Sequence, residues 1–313
     1  MASSRIQKLI LPWQNCNVIP WLCDLIRLIR FLGDPDDPNS MATTELIIKP
    51  RKGWQPLDLR EALLYRELLA FLVWRDIKIR YRQTLLGGLW SILQPLAGTL
   101  IFVLVFNRWA GVHSDGPPYA LFAFAGLAPW TFFSNSVSNS SNSLISSQQL
   151  VSRVYFPRIF IPLGTIGAFL LDLALSLVVL GCMMIYYRWK LSLHVLLLPV
   201  FLIGTVMAAS GIGFAFSAMN VLFRDVKYMV PFLIQMGMFV TPVIYPVRYV
   251  PSHWQTLFGL NPMSGMVLGF RYCLLGSPVY WPLILTSLGM CLLIFFGGLM
   301  LFRRIERLFA DVI

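Results

Sequence analysis

Three basic residues, Arg75, Lys78 and Arg82, follow one another at intervals of three and four in the segment 60–82. This spacing places them on one face of a helix. A helix with a basic face and an apolar face lies in the plane of a membrane surface and is attracted by anionic lipid. The basic row is therefore a candidate site for an anionic lipid headgroup such as a pyrophosphate, with simple surface anchoring by solvated charges as the alternative. The expected apolar stripe consists of Leu64, Leu68, Phe71, Trp74, Ile77 and Tyr81.

Acidic residues in and beyond this segment predict two further contacts. Asp76 and Arg80 have the i,i+4 spacing of a favourable helical ion pair. Asp172 lies inside an apolar stretch, where an ionised group costs at least ~2.5 kcal/mol, so it is expected to face other helices. A proton relay normally needs more than one such group, and no second carboxylate lies in an apolar stretch. Asp172 is therefore predicted to be an intramembrane polar lock with a partner still to be found.

The segment 148–158 (QQLVSRVYFPR) combines arginine and aromatic residues and ends in a proline and an arginine. It is predicted to form a short cytoplasmic helix, and exposed aromatic and arginine side chains are typical docking anchors. The alternative is a plain connector whose aromatic side chains hold it at the membrane interface. The candidate docking residues are Arg153, Tyr155, Phe156, Pro157 and Arg158.

Aromatic residues are frequent in and beside the apolar stretches. Aromatic rings can stack on the faces of sugars, which would suit a conduit for a glycan. For each ring taken alone, packing or a place in the membrane's aromatic belt is the default role. The candidate channel-lining residues are Trp90, Phe102, Phe106 and Tyr245.

Several classes of site have no support in the sequence. The five cysteines form no CxxC pair and the three histidines lack ligand spacing, so neither a disulfide framework nor a metal site is predicted. No GxxxxGK[ST] phosphate loop occurs, so the chain is not expected to bind ATP in that manner. No nucleophile and base are spaced as in a catalytic site, so an enzyme is not predicted. Anionic lipid and the positive-inside rule explain the net charge of +11 better than nucleic acid does.

The composition is that of an integral membrane protein. Hydrophobic residues make up 57% and charged residues 12% of the chain, whereas a soluble domain is about a quarter charged. The apolar residues occur in stretches of about 20, enough for a helix to cross a ~30 Å hydrocarbon core. The second stretch is the weakest prediction because it is rich in Ser, Asn and Gly. The expected fold is all-α, with six spans at roughly 88–106, 118–138, 160–187, 193–222, 228–246 and 280–302.

The basic residues orient these spans. With the N-terminus inside, 20 of the 25 Lys and Arg residues fall on the cytoplasmic side, as the positive-inside rule favours. Both termini are then expected to be cytoplasmic. Residues 1–59 are expected to form an N-terminal cytoplasmic extension to a transmembrane domain at 60–313. Within the extension, 1–40 is either a surface-lying segment or upstream sequence that the mature protein lacks.

The stretch 254–275 departs from the simple pattern. Its two apolar pieces are too short to span a membrane separately, and Asn261-Pro262 is expected to break a helix between them. Two short re-entrant helices that dip into the outer leaflet are predicted here, the second of which contains Arg271. An ordinary external amphipathic loop is the alternative.

Taken together, these residues resemble the type-2 ABC exporter permeases that move polysaccharides such as O-antigen, capsule and teichoic acid. The resemblance covers roughly 60–313 and leaves 1–59 outside. Its motifs follow one another along the chain as 75–84 (RDIKIRYRQT), 94–96 (QPL), 155–158 (YFPR), 220–225 (NVLFRD), 241–246 (TPVIYP) and 261–263 (NPM).

The resemblance implies a six-span half-transporter that forms a homodimer in the cytoplasmic (inner) membrane. A cognate ATPase subunit, which holds the ATP and Mg²⁺, would dock on the 142–158 loop and the surface helix. ATP-driven closure would then open a channel for polysaccharide linked to undecaprenyl pyrophosphate. By the same resemblance, Arg75, Lys78 and Arg82 would meet the pyrophosphate, and 254–275 would supply the re-entrant helices.

Three other functions stay open. A type-2 ABC permease for a drug or lipid shares the architecture but usually lacks this combination of motifs. A membrane enzyme acting on lipid-linked sugars would need paired acidic residues or a catalytic loop at one membrane face. A secondary transporter would show repeat symmetry and several intramembrane ionisable groups, whereas only Asp172 is seen.

Overall fold

The computed structural model describes residues 65–82, 88–112, 114, 116–153, 156–306 and 309. They belong to the second of the two units into which the chain divides, Leu57–Ile313. All regular structure within these residues is helical, and no strand occurs among them. The helices are α1 (Arg66–Arg82), α2 (Leu89–Phe102, continued by the π-helical segment Val103–Trp109), α3 (Tyr119–Ser146), α4 (Gln148–Arg153), α5 (Phe160–Tyr186), α6 (Leu198–Leu222, preceded by the 3₁₀ segment Leu193–Leu197), α7 (Val226–Val240), α8 (Ser252–Phe258), α9 (Pro262–Leu275) and α10 (Trp281–Glu306).

The all-α prediction is confirmed for the described residues, and four helical segments are long and apolar enough to cross a membrane. These four correspond to the first, third, fourth and sixth predicted spans. The second predicted span falls within α3, a 28-residue helix with a polar second half. The fifth corresponds to α7, an apolar helix of 15 residues. The predicted domain boundary at 59/60 lies outside the described residues. The four segments are Leu89–Trp109, Phe160–Tyr186, Leu193–Leu222 and Trp281–Glu306.

The helix α3 packs against α2, α5, α6, α7 and α9. Its first half is apolar and almost entirely buried. In its polar second half, hydroxyl groups bond back to the helix itself: Ser140 donates to the Val137 carbonyl at 3.2 Å and Ser143 to the Ser140 carbonyl at 2.7 Å. These bonds satisfy the hydroxyls without help from another helix. A helix rich in serine therefore fits inside an apolar bundle.

Glycines hold α6 and α10 together. Gly211 and Gly298 face each other so closely that a Cβ on Gly298 would collide with the Gly211 carbonyl, and a Cβ on Gly211 would collide with the main chain of α10. Small residues let helix backbones approach, and the resulting van der Waals contact drives helix association in lipid. The same device attaches α9 to α10, where Gly265 lies against Ser287.

A sharp break separates α8 from α9. Asn261 caps α9 by accepting a hydrogen bond from the Met263 amide at 3.1 Å, and its side-chain amide donates to Thr241 Oγ1 at 2.8 Å. Pro262 occupies the first turn, where the missing amide hydrogen is not needed. The helix break expected at Asn261-Pro262 is thus present, and every residue of α9 except Tyr272 is buried.

Candidate substrate and partner sites

The helix α1 lies along the first half of α5. Leu72 is 1% exposed and contacts Gly164, while Val73 fills the space beside Gly167. Because these glycines have no side chain, the backbone of α1 comes close to that of α5. The contact brings the polar residues further along α1 within reach of polar groups on α5.

The predicted apolar stripe packs on the bundle only in part, because Leu68 packs on the core and Tyr81 bonds to Asp172 whereas its middle is exposed. Phe71 and Trp74 are 44% and 63% exposed, whereas Leu72, outside the stripe, is the residue that is buried. The two glycines of α5 leave space for Leu72 and Val73 on the face of α1 that packs. Phe71 and Trp74 therefore remain available to lipid, as an interfacial helix requires. The first member of the stripe, Leu64, lies outside the described residues.

Asp172 meets its partners at the end of α1. Arg80 Nη1 forms an ion pair with Asp172 Oδ2 at 2.9 Å, and the Tyr81 hydroxyl donates to the other carboxylate oxygen. The Arg80 guanidinium also lies 3.6 Å from the centroid of the Phe169 ring. Burial and then the hydrogen bond to Asp172 raise the pKa of Tyr81, so the phenol stays protonated and keeps donating. Arg80 and Tyr81 are thus the partners that the sequence left open.

Asp76 has other partners than the sequence predicts. In place of the i,i+4 pair with Arg80, Asp76 Oδ1 pairs with Arg75 Nη2 at 2.8 Å, and the Thr165 hydroxyl donates to Asp76 Oδ2 at 3.0 Å. The predicted pair is wrong because Arg80 reaches Asp172 on α5 instead. A charge pair in a partly buried seam is screened less than a pair on an exposed helix face.

The three residues of the predicted basic row differ in exposure and in ion pairing. Lys78 and Arg82 are exposed and form no ion pair with another described residue. The Arg75 side chain is 29% exposed, and Asp76 offsets its charge. Lys78 and Arg82 therefore offer an anionic group a full positive charge, whereas Arg75 offers one that is already partly neutralised.

The predicted docking segment is divided between surface and core. Arg153 is the last residue of α4, and Tyr155 lies outside the described residues. Phe156 is 6% exposed and belongs to the main hydrophobic core, whereas Pro157 and Arg158 are half-buried. Phe156 therefore fixes the segment to the bundle, which differs from the exposed docking role predicted for it.

Arg158 joins the docking segment to the end of α10. Its Nη1 donates to the Glu306 carbonyl at 3.4 Å, and its guanidinium lies 5.7 Å from the centroid of the Phe309 ring. Phe309 itself is 1% exposed. These contacts connect the segment before α5 to the C-terminal end of α10.

The four predicted channel aromatics do not form one cluster. Trp90 is 61% exposed, and the rise of a helix puts it about 18 Å from Phe102. Phe102 and Phe106 pack edge to face, with ring centroids 5.7 Å apart, against the first turns of α3. Tyr245 is half-buried and donates to the Phe239 carbonyl at 3.2 Å. Within one copy of the chain, these rings occupy separate places.

Arg271 is 1% exposed, although it is a charged residue. Its guanidinium donates to the carbonyls of Phe122 at 3.1 Å, Pro242 at 2.6 Å and Val243, and lies 3.5 Å from the centroid of the Phe122 ring. Gly126 leaves the space for this group, because a Cβ there would collide with the guanidinium. Main-chain oxygens thus surround the charge and tie α9 to α3 and to the chain that follows α7.

A groove that the sequence pattern did not predict lies between α3 and α7. The pattern did contain a signal for it, because Ser134, Asn135 and Ser138 share a helix face and Gln235 interrupts an apolar stretch. Its volume is about 220 Å³. The lining residues are Trp130, Ser134, Asn135, Ser138, Pro231, Ile234, Gln235 and Met238.

The groups that the described residues bring together at these sites are suited to binding. In the part of the chain that the structure describes, no group of His, Cys, Asp and Glu residues could hold a metal ion. What the sites present is an exposed cationic edge on α1, a charged lock between α1 and α5, and an uncharged polar groove between α3 and α7.

Comparison with known proteins shows which family this chain resembles. The model of the ABC-2 type transporter family matches residues 67–275. The O-antigen export system permease protein RfbA of Klebsiella pneumoniae is 29% identical over 248 residues, which are 79% of this chain and 95% of the relative. The Myxococcus xanthus protein of the same description is 34% identical over 218 residues, 68% of this chain and 82% of its own length. The polysialic acid transport protein KpsM of Escherichia coli is 26% identical over 239 residues, 74% of this chain and 91% of KpsM.

Proposed function

The chain belongs to the ABC-2 type transporter family, and from that premise we propose that it is the transmembrane permease subunit of an ATP-driven exporter of lipid-linked polysaccharide across the cytoplasmic membrane. The observation that carries this proposal is the similarity of most of the chain to permeases named for O-antigen export and polysialic acid transport. The four helices that are long and apolar enough to cross a membrane support it.

We propose six spans by adding α3 and α7 to the four apolar helices. The length of α3 supports this count, as do its serine hydroxyls that bond to their own helix. The helix α7 is short for a span, but residues 241–244 after it are buried in protein and shielded from lipid. Both termini are then cytoplasmic, and the burial of α9 supports a re-entrant pair α8–α9.

The exporter is proposed to be a homodimer of this chain with a cognate ATPase subunit on each copy. ATP and Mg²⁺ are held by that ATPase, since this chain has no GxxxxGK[ST] loop. The proposed docking surface is α4 with Arg153, Tyr155 and Arg158, and Phe156 roots it in the bundle. An ATPase bound to this surface is then connected to the start of α5 through the buried Phe156.

Coupling is proposed to run from the docking surface through α5 to α1. The segment before α5 is anchored by Phe156, and α1 is attached further along α5 by Arg80, Tyr81 and Asp172. When nucleotide-driven closure of the ATPases moves α5, α1 is carried with it because the polar lock joins them. The basic edge of α1 is thereby moved relative to the membrane surface.

The exposed edge of α1 is proposed to receive the pyrophosphate that links the lipid to the glycan. Lys78 and Arg82 supply the charge and Arg75 a weaker contribution, because Asp76 already offsets it. Charge-assisted hydrogen bonds from lysine and arginine are the usual means of holding phosphate groups. Anionic headgroups of ordinary lipid share this chemistry, so the role rests on export measurements.

Deletion of the gene, with surface polysaccharide and cytoplasmic lipid-linked glycan both quantified, tests the proposed function. The expected result is loss at the surface with accumulation of finished lipid-linked polymer inside. Loss of both pools, with precursors stalled at a short stage, would indicate a biosynthetic enzyme instead. No change in either pool would reject polysaccharide export in favour of a drug or lipid exporter.

A further inference from the structure

The groove between α3 and α7 contains hydrogen-bonding groups that no described residue satisfies. The hydroxyls of Ser134 and Ser138 and the side-chain amides of Asn135 and Gln235 line it, and none of them bonds to another described residue. Their neighbours on α3 differ. Asn139, for example, donates to the Asn135 carbonyl at 2.8 Å. The open groups are therefore concentrated at the groove, although the buried Ser136 hydroxyl also bonds to no described residue.

In the proposed six-span topology these groups lie away from the ends of α3 and α7, where lipid tails offer no hydrogen-bond partner. Ser134, Asn135 and Ser138 are near the middle of the 28-residue helix α3, and Gln235 is in the second half of α7. An amide or hydroxyl in hydrocarbon without a partner is strongly unfavourable. The groove therefore faces water, another polypeptide or a polar ligand.

The shape and lining of the groove favour a sugar as that ligand. Polar groups from both helices line it together with the side chains of Trp130, Ile234 and Met238. A sugar ring has hydroxyls around its edge and C–H groups on its faces, and a few polar groups among apolar and aromatic ones suit it. None of the described residues that line the groove is charged, so it does not fit a pyrophosphate.

A second copy of this chain fits the groove less well. Seams such as that between α6 and α10 are made by small residues in direct contact, here Gly211 and Gly298. Such seams leave no space, whereas the groove is concave and has a volume of about 220 Å³. It has room for a sugar ring between α3 and α7.

Resting on the proposed function, we infer that this groove holds sugar residues of the lipid-linked glycan while the chain crosses the membrane. Ser134, Asn135, Ser138 and Gln235 bind the hydroxyls, and Trp130, Ile234 and Met238 provide apolar contact for the C–H groups. The exposed edge of α1 handles the charged end of the substrate and the groove its uncharged polymer.

Replacement of the two amides tests this assignment in cells that make the complete exporter. Asn135→Leu combined with Gln235→Leu is expected to lower surface polysaccharide about tenfold at an unchanged amount of permease in the membrane, the size of loss produced by removing one or two net hydrogen bonds. The matched control is Thr286→Val, which removes a hydroxyl already bonded to the Pro282 and Leu283 carbonyls, and normal export is expected from it.

A milder pair of substitutions covers the case in which the leucine variant fails to reach the membrane. Ser134→Ala combined with Ser138→Ala removes two hydroxyls from the same wall with little change in volume, and a smaller loss of export is expected. Normal export by a groove variant that is present at the wild-type level would overturn the assignment.

Photo-crosslinking identifies the occupant directly. Benzoylphenylalanine introduced in place of Asn135 is expected to give, on illumination of whole cells, an adduct detected both by a tag on the permease and by an antibody against the surface polysaccharide. An adduct between two permease copies would overturn the assignment in favour of a subunit seam. An adduct with phospholipid alone, or none, would also overturn it.

The gene deletion separates failure of this inference from failure of the proposed function. If deletion leaves the surface polysaccharide unchanged, the exporter assignment itself is rejected. If deletion abolishes it while the groove variants export normally and give no glycan adduct, only the role of the groove is rejected.

Discussion

The seam between α1 and α5 and the seam between α6 and α10 both contain close contacts at glycines, but the first also carries charged groups. In the first, the ion pair of Arg80 with Asp172 and hydrogen bonds from Tyr81 and Thr165 add to the packing. The second is joined by backbone contact at two facing glycines. The stability of the first seam therefore depends on polar partners as well as on packing, whereas that of the second depends on how closely two backbones approach.

Gly298→Leu disrupts the glycine contact between α6 and α10 and is expected to have the largest effect on stability. The new side chain would collide with the Gly211 carbonyl, and we expect the free energy of folding to become less favourable by about 3 kcal/mol or more. The measurement is the amount of permease extracted from membranes and its thermal aggregation in detergent. The neighbouring Gly297, which is exposed with open space around it, provides the control Gly297→Leu. Equal amounts of both variants would contradict the role of the glycine seam.

Asp172→Ala removes the ion pair between α1 and α5 and is expected to have the second largest effect on stability. It leaves the partly buried Arg80 without its partner, and we expect a loss of about 2 kcal/mol, less than for a fully buried pair. Thermal unfolding of the detergent-purified exporter measures this loss. Asp225→Ala, at an exposed position, is the control. In the Asp172→Ala background, Arg80→Ala should cost little, and losses that simply add would show that the two residues do not interact.

Tyr81→Phe removes the hydrogen bond from the Tyr81 hydroxyl to Asp172 and keeps the aromatic ring. It therefore separates this hydrogen bond from the ion pair between α1 and α5. A single net hydrogen bond is worth about 1 kcal/mol, so a smaller loss of stability than for Asp172→Ala is expected from the same unfolding measurement. Tyr228→Phe, at a position that is 76% exposed, is the matched control. A loss equal to that of Asp172→Ala would mean that the ion pair with Arg80 contributes nothing.

Lys78→Ala combined with Arg82→Ala is expected to have the smallest effect on stability, within about 0.5 kcal/mol, because both residues are exposed. Export of polysaccharide should nevertheless fall, since the charge offered to the headgroup is removed. Arg75→Ala alone should lower export less, because Asp76 already offsets Arg75.

The control for the basic edge is Arg108→Ala combined with Lys190→Ala. It removes two exposed basic residues at the opposite membrane face of the proposed topology. Surface polysaccharide and the amount of ATPase that copurifies are measured for both double variants. Normal export after loss of Lys78 and Arg82 would remove the headgroup role from α1.

Hydropathy and periodicity were sufficient to predict the helices but not the face by which α1 packs. The apolar stretches that became α2, α5, α6 and α10 are visible because membrane spans need a continuous run of about 20 apolar residues. The stripe containing Phe71 and Trp74 has helical periodicity too, yet these two residues are exposed. The buried Leu72 lies instead against Gly164 of α5, and the sequence of α1 carries no record of that glycine.

The polar contacts could be anticipated in kind but not in detail. A carboxylate in an apolar stretch requires a partner, so a lock at Asp172 follows from its position, whereas the choice of Arg80 and Tyr81 follows from how two distant segments meet. Gln235 was overlooked because a single amide on α7 means little until the polar residues of α3 are placed beside it. Similarly, Phe156 looks like a docking residue in sequence but lies in the core.

The enclosure of Arg271 has a consequence for the order in which the protein is made. The oxygens that surround its guanidinium belong to Phe122, Pro242 and Val243, and all three are synthesised before it. In the proposed topology α9 enters the membrane, where a lone arginine is opposed by at least ~2.5 kcal/mol. Because the chain makes these oxygens first, synthesis in the direction of translation allows the charge of Arg271 to be solvated by protein as soon as α9 packs.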